Sequence, residues 1–454
     1  MPLRTLAVDF NSFFASCEQQ ENPALRGRPV AVVPVKADTT CCISVNYAAK
    51  ARGVRAEMLV GEARALCPEL GLVEARPEVY VRYHRQLLDV IESCIHVTTI
   101  KSIDEVECDL TATFAPREKA VAVAAHIKRE VRCRVGPCLT SSIGIAPNWM
   151  LAKMASDMQK PDGLVVLEES DLPQRLLGLT VRDFLGIGAA MEARLLAHGI
   201  DTPAKLYAAT KAELRGIWGS VEGERMYARL RGEEVRLETD QHKTVGHSHV
   251  LPPALRTDAK ALAVLHRLIQ KAALRLRNIR CYAAGLVVFV GYREGSWSDE
   301  IRFTETQDTL RLTHALTQLW ARRPTGHARK MPFQVGLVLN RLLPACGHTA
   351  DLFEKDNEDA HERLHAALDQ LNQTYGNGSV FYGGAFGVTR NAPMRIAYTR
   401  IPAPELEEID QSRERRVRPL QRTAPSAWEG NQLEEDEARQ RGDGQPAVCV
   451  KGWP

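Results

Sequence analysis

The residue that most constrains this chain is Asp9, set in the apolar run Leu6-Ala7-Val8-Asp9-Phe10. Segment 3–10 reads as a strand inside a core. An ionised carboxylate there is costly unless something cationic compensates it. A second acidic pair, Asp104-Glu105, lies at the turn of a β-hairpin that alternation predicts over 97–110. Taken singly, an Asp-Glu pair in a turn is ordinarily solvated surface, and a lone Asp at a strand end is ordinarily structural. Three carboxylates from two strands, facing one point, would instead form a hard oxygen-ligand site suited to Mg²⁺.

The patterning around them is mixed. Segment 28–35 reads as a second strand, Tyr80–Cys94 and Glu118–Val131 as helices, and Leu139–Ala146 as another strand. This order suggests one α+β domain with residues 20–75 as an insertion. Residues 166–235 read as purely helical. Within them, Leu185-Gly186-Ile187-Gly188, Met191–Leu196 and His198-Gly199-Ile200 form a helix-hairpin-helix pattern. Its glycines, Gly186 and Gly188, would let backbone amides at a helix N-terminus approach a phosphate. Residues 236–242 read as a linker. From His242 to Leu343 the order is strand, helix, strand, strand, helix, strand, with helices over 258–278 and 308–323 and strands at Cys281–Tyr292 and Phe333–Leu339. That order predicts a small sheet covered by two helices. Residues 357–373 form one more amphipathic helix, and the charged, Gly-, Pro- and Gln-rich chain beyond about 402 is expected to be disordered.

The net charge of +3 conceals an uneven distribution. From Lys243 to Arg341 there are 16 Lys/Arg against 6 Asp/Glu, while acidic residues of the tail, among them Glu405, Glu407, Glu408 and Glu434–Glu437, mask the excess. A basic domain suggests a polyanion partner, although an ordinary solvated surface would read alike. A chain of 454 residues suggests about three domains. No run approaches the ~18 apolar residues of a membrane span, and the apolar run that meets Asp9 is short for a secretory signal. Eleven cysteines without a Cys-x-x-Cys pair fit reduced thiols in the cytoplasm. Cys41-Cys42 and Cys133/Cys138 lack histidine at metal-ligand spacing.

Five motifs in order carry a resemblance. Asp9-Phe10-Asn11-Ser12-Phe13-Phe14-Ala15-Ser16-Cys17-Glu18 and Ser102-Ile103-Asp104-Glu105 resemble the two acidic motifs of the Y-family DNA polymerases. Asn46-Tyr47-Ala48-Ala49-Lys50 with Gly53-Val54 resembles that family's nucleotide-binding motif. Ser142–Ala146, Leu151-Ala152-Lys153 and Lys160-Pro161-Asp162-Gly163 resemble its third palm motif, and the helix-hairpin-helix follows. The resemblance runs from about residue 3 to 345. It implies an α+β, multidomain right hand: a palm (1–19 and 76–165), small fingers (20–75), a helical thumb (166–235), the linker (236–242) and a βαββαβ little finger (243–345). A helical extension (346–401) and a tail (402–454) would follow.

The resemblance further implies a low-fidelity, lesion-bypass DNA polymerase with two Mg²⁺ ions, acting in DNA repair on primer-template DNA and deoxynucleoside triphosphates. Asp9 and Asp104 would bridge both ions, Glu105 would hold the ion beside the primer 3′-hydroxyl, and the Phe10 carbonyl would complete the nucleotide-side ion. Phe14, beside Phe13, falls at the steric-gate position that excludes a ribose 2′-hydroxyl. Tyr47, Lys50 and Lys160, with Ser44, would contact the triphosphate. Gly186, Gly188 and Lys243 would hold DNA by its phosphates.

Four positions depart from the family pattern. Asn11 stands where polymerase IV-type members carry Asp, and Lys50 where they carry Arg, so a bidentate phosphate fork is lost. Both resemble instead the polymerase V-type catalytic subunit. Trp149 takes a position often held by Lys, and Glu107 one held by an aromatic residue. His348-Thr349-Ala350-Asp351-Leu352-Phe353 resembles a sliding-clamp docking motif; a helix-leading turn reads equally well. A bacterial, cytoplasmic monomer is expected, with no membrane partner. The alternative is a catalytically silent paralogue acting as a scaffold on DNA and clamp, or a module that only binds DNA.

Overall fold

β1 (Thr5–Phe10) leads into α1 (Phe13–Glu21) and then a small unit of β2 (Val30–Val33), β3 (Ser44–Val45), α2 (Tyr47–Lys50), α3 (Val60–Leu66) and β4 (Gly71–Glu74). The chain returns through α4 (Pro77–Glu92), β5 (Val97–Ile100), β6 (Glu105–Asp109), α5 (Arg117–Arg134), β7 (Ser141–Ala146), α6 (Trp149–Met158) and β8 (Leu164–Val166). The computed structural model describes residues 2–388 except 111–112, 236–242, 325, 327–329, 350–354 and 377. The tail beyond 402, the linker 236–242 and Ala350–Phe353 therefore lie outside the described residues. All those described belong to one compact unit, Met1–Ile409.

β1 is the middle strand of a five-stranded sheet in the order β5-β6-β1-β7-β8, so all six of its residues are buried. Successive side chains alternate between the faces. Leu6, Val8 and Phe10 join the core with α1, α4 and α5. Ala7, on the opposite face, packs with α6. Asp9 shares that second face by period. Its partner across β7 is Ser142, and Ala7 stands opposite Gly144. A Cβ on Gly144 would meet the Ala152 carbonyl oxygen at 1.9 Å, so only hydrogen lets α6 cross the sheet this closely. Asn148 caps α6 by accepting from Leu151 N at 3.0 Å, and its amide donates to Arg229 O at 2.8 Å and Glu233 O at 3.0 Å. One side chain thus starts α6 and ties it to the next helical unit.

That unit holds α7 (Ala189–Ala197), α8 (Pro203–Ala208), α9 (Lys211–Trp218) and α10 (Val221–Leu230), around Leu195, Leu206, Leu214 and Leu230. β2 pairs antiparallel with β3 and parallel with β4, over a separate core of Ala31, Val33, Val45, Val54 and Val60. Residues from 245 form β9 (Val245–Val250), α11 (Asp258–Asn278), β10 (Cys281–Tyr292), β11 (Ser296–Thr306), α12 (Thr309–Ala321) and β12 (Pro332–Pro344). Their antiparallel sheet runs β11-β10-β12-β9, with α11 and α12 packed in its core. α13 (Lys355–Tyr375) follows, and His365, 2% exposed, is its buried anchor.

Several boundaries differ from the sequence reading. The helix expected from Tyr80 starts at Pro77, where a missing N–H costs nothing in a first turn. Asp104 sits in the hairpin turn, but Glu105 already opens β6. The strand expected over 333–339 reaches Pro344, because β10 beside it is twelve residues long and pairs along its length. The segment 166–235 includes three 3₁₀ turns before its first α-helix. No helix among the described residues is long and apolar enough to cross a membrane.

Candidate active site

The β1–β6 register places Asp9 opposite Glu105, and Phe10 N donates to Asp104 O at 2.9 Å. Three acidic residues, one from β1 and two from the β5–β6 hairpin, therefore lie at one end of the sheet. α6 lies over that face and brings Lys153, whose ammonium donates to Asp9 and reaches Glu105 Oε1 at 3.1 Å and Asp157 Oδ1 at 3.1 Å. Lys160 follows and pairs with Asp9 Oδ2 and Asp157 Oδ1, both at 2.8 Å. Asp9 and Lys153 are only 5% and 8% exposed. The cation that Asp9 requires is thus supplied twice.

The electrostatics follow from crowding. Burial, then the Asp9 charge, raises the Asp104 carboxyl above its ordinary value, although Ser102 Oγ donates to it. Burial also raises Glu105, with Lys153 opposing and Asp9 adding to the rise. Burial disfavours the Lys153 ammonium, yet Asp9, Asp157 and Glu105 together hold its pKa well above the usual lysine value. Burial and the neighbouring Lys160 lower Lys50, which lies 4.3 Å from the Tyr47 ring centroid.

No three His, Cys, Asp or Glu side chains among the described residues are spaced to hold a metal ion. The donor chemistry nonetheless fits a hard divalent cation: the ligands are carboxylate oxygens, and a cation, the Lys153 ammonium, already sits among Asp9, Glu105 and Asp157.

Phe14 stacks on Tyr80 with ring centroids 4.3 Å apart and planes 10° apart. Tyr80 is held in turn: its hydroxyl donates to Glu18 Oε1 at 2.8 Å, and Arg76 binds both oxygens of that carboxylate. Phe13 is buried between Phe10 and Phe14 as a core ring. Ser44 Oγ accepts from Ala15 N at 3.3 Å, which joins β3 to α1. Gly186 has φ +92°, and Gly188 is the N-cap of α7 with open space where a Cβ would stand. A cavity of about 440 Å³ extends from Lys153 and Asp157 to Gly186-Ile187-Gly188. Lys243 is exposed just before β9, away from the carboxylates in sequence.

Three of the four departures, Asn11, Glu107 and Trp149, have structural partners. Asn11 is buried and uses both ends of its amide: Nδ2 donates to Ser142 Oγ at 3.0 Å, and Oδ1 accepts from Asp162 N at 2.8 Å. A carboxylate could not supply that donor. Glu107 pairs with Lys101 at 2.7 Å, and the Lys101 ammonium lies 4.9 Å from the Trp149 ring centroid. Two departures thus meet on one lysine, and the extra negative charge is matched. His348 stacks on Tyr282 at 3.7 Å between centroids.

Residues 8–157 match the impB/mucB/samB family, and residues 242–352 match that family's C-terminal domain. DNA polymerase IV of Moorella thermoacetica is 32% identical over 404 residues, 84% of this chain and 98% of its own length. The chain belongs to the Y-family DNA polymerases. DNA polymerase IV 1 of Bacillus subtilis is 31% identical over 81% of this chain and 90% of its own. Among solved structures, a Y-family DNA polymerase chimera superposes with a TM-score of 0.64 at 23% identity, covering 75% of this chain and 99% of its own. The insertion ternary complex of Dbh DNA polymerase gives 0.52 at 24%, with the same coverage. These likenesses show the α+β Y-family fold.

Sequence reasoning did not single out Lys153 or Asp157 for this site. Their signal was present: Lys153, Asp157 and Lys160 recur at spacings of four and three, which stacks them along one side of a helix and its exit.

Proposed function

We propose that this Y-family member is a template-directed DNA polymerase that copies damaged templates at low fidelity. The observation that carries the proposal is the convergence of Asp9, Asp104 and Glu105 at one sheet end, with Lys153 and Lys160 on the same cluster. In this reading Asp9, Asp104, Glu105 and the Phe10 carbonyl hold two Mg²⁺ ions. Bound Mg²⁺ would supply charge neutralisation for the triphosphate and make the primer 3′-hydroxyl easier to deprotonate.

The protein's own share is positioning and charge. Lys160, Lys50 and Tyr47 bind the triphosphate, with Ser44 and Phe13 supporting them through backbone and core. Phe14, braced on Tyr80, closes the space a 2′-hydroxyl would need. Gly186 and Gly188 offer backbone amides at the start of α7 to a phosphate of the duplex. The basic 243–345 segment, from Lys243, grips the same duplex as a little finger. The palm then comprises 1–19 and 76–165, the fingers 20–75 and the thumb 166–235. Docking on a sliding clamp through 348–353, a cytoplasmic location and monomeric action complete the proposal. The polymerase IV names of the bacterial relatives support the same reading.

Primer extension with Mg²⁺ and deoxynucleotides tests it. Wild type should extend a primer, and Asp104→Ala should slow the reaction by at least about a thousandfold, roughly 4 kcal/mol of barrier. Equal extension by both, or none by wild type, would sink the proposal and leave the scaffold reading.

A further inference from the structure

We propose that the Lys153 ammonium is the resident counter-ion of the carboxylate cluster, and that a divalent cation displaces it from Asp9 and Glu105 onto Asp157. The inference rests on the metal reading above.

Three observations lead to it. First, Lys153 is buried and its ammonium has three carboxylate partners, Asp9, Glu105 and Asp157. Bringing charges out of water is costly, so a cluster of carboxylates needs a cation even before any metal arrives. Lys153 supplies it. Second, Asp9 Oδ2 receives both Lys153 and Lys160. An oxygen that already accepts from two ammoniums cannot also ligate a metal ion unless one withdraws. Third, the place to withdraw to is built in. Asp157 Oδ1 already touches both lysines, at 3.1 Å and 2.8 Å, and its side chain is 49% exposed. The cavity lined by Lys153, Met154 and Asp157 opens on that side and leaves room for the flexible lysine stem to swing. Lys153 would keep one ion pair throughout, so its charge is never stranded.

In this role Lys153 is a positioning residue. It preserves the spacing of Asp9 and Glu105 without metal, and its departure sets part of the cost of metal entry. Metal affinity should therefore be lower than the carboxylates alone would give. Asp157 also holds Lys160, but for metal entry it should matter chiefly as the carboxylate that receives Lys153.

The test is Mn²⁺ binding to the full chain without DNA or nucleotide, read from the loss of the free-ion paramagnetic resonance signal, together with thermal unfolding. Lys153→Met should bind Mn²⁺ about tenfold more tightly, within the usual range for coupled sites. Its melting temperature without metal should fall below that of wild type, and Mn²⁺ should restore it. Asp157→Asn should weaken Mn²⁺ binding in the wild-type background. In the Lys153→Met background the same change should have little effect, because the two residues act as one unit. Equal or weaker binding by Lys153→Met overturns the proposal. So does an Asp157→Asn effect of the same size in both backgrounds, the outcome expected of simple charge removal. Asp157 is half-exposed, so its variant remains informative if Lys153→Met fails to fold: unchanged Mn²⁺ binding by Asp157→Asn alone also overturns the proposal. Failure of the metal reading itself looks different, since Mn²⁺ binding would then survive Asp104→Ala.

Discussion

Phe14 and Tyr80 lie face to face, and Tyr80 is fixed behind by Glu18 and Arg76. A ring braced in this way cannot tilt aside at little cost, which is what a steric gate requires. Phe14→Ala should raise the efficiency of ribonucleotide relative to deoxynucleotide incorporation by at least about tenfold, a change of roughly 1.4 kcal/mol in relative barrier. Comparing kcat/KM for the two sugars measures it, and an unchanged ratio removes Phe14 from the role. At this scale Asp9 was legible in the sequence, because a charge inside an apolar run demands an explanation. Asp104 and Glu105 stood out only through the motifs around them. Lys153 was not legible. A lysine on a helix ordinarily reads as solvated surface, and its burial depends on how α6 crosses the sheet. Asn11 reads as a departure in sequence. In the fold it is a buried amide whose donor and acceptor are both satisfied.

α6 reaches the sheet only because Gly144 lacks a side chain. Gly144→Val should cost about 3 kcal/mol in denaturant unfolding, the upper end for an overpacked core. It should also shift α6, and with it Lys153, from the carboxylates. Loss of less than about 0.5 kcal/mol would mean that the crossing adjusts freely. α13 is held differently. Asp308 caps α12 by accepting from Leu310 N at 2.8 Å, and it also binds His361 and His365 of α13, both at 2.7 Å. Burial works against the Asp308 carboxylate, but the hydrogen bond with His365, the Leu310 amide and His361 bring its pKa down to about 2 from 3.8. A lowered folded pKa means that its stabilisation is complete above about pH 4 and is lost as pH falls toward about 2. Asp308→Asn should therefore be less stable than wild type by about 2 kcal/mol near neutrality. The gap should close in acid, as thermal unfolding across pH would show; a constant gap would contradict this. The order of elements from β9 to β12 was legible, because alternation and helical periodicity change over cleanly there. The ends of β12 and the burial of α6 were not. Strand ends are set by the length of the partner strand, and the burial of α6 depends on how it crosses the sheet at Gly144.

Across the whole molecule, residues 243–341 carry ten more cationic than acidic side chains in a chain of net charge +3. If this excess grips a duplex by its phosphates, binding should weaken steeply with salt. Six or more contacts predict a loss of about a thousandfold between 50 and 200 mM salt. Fluorescence anisotropy on a labelled primer-template measures the slope, and a shallow one would argue against phosphate contacts as the main source of affinity. The central position of β1 has one more consequence, for how the protein is made. β1 emerges from the ribosome before the rest of its sheet, and its neighbours β6 and β7 lie roughly a hundred residues or more downstream, while the lysines that neutralise Asp9 come 144 and 151 residues after it. Until those segments emerge, β1 exposes two unpaired edges and an uncompensated carboxylate. The β2-β3-β4 unit, by contrast, has its own core and can close early. The growing chain must therefore keep its first strand apart from other chains while the inserted unit folds, and the carboxylate cluster is among the last features of its sheet to assemble during translation.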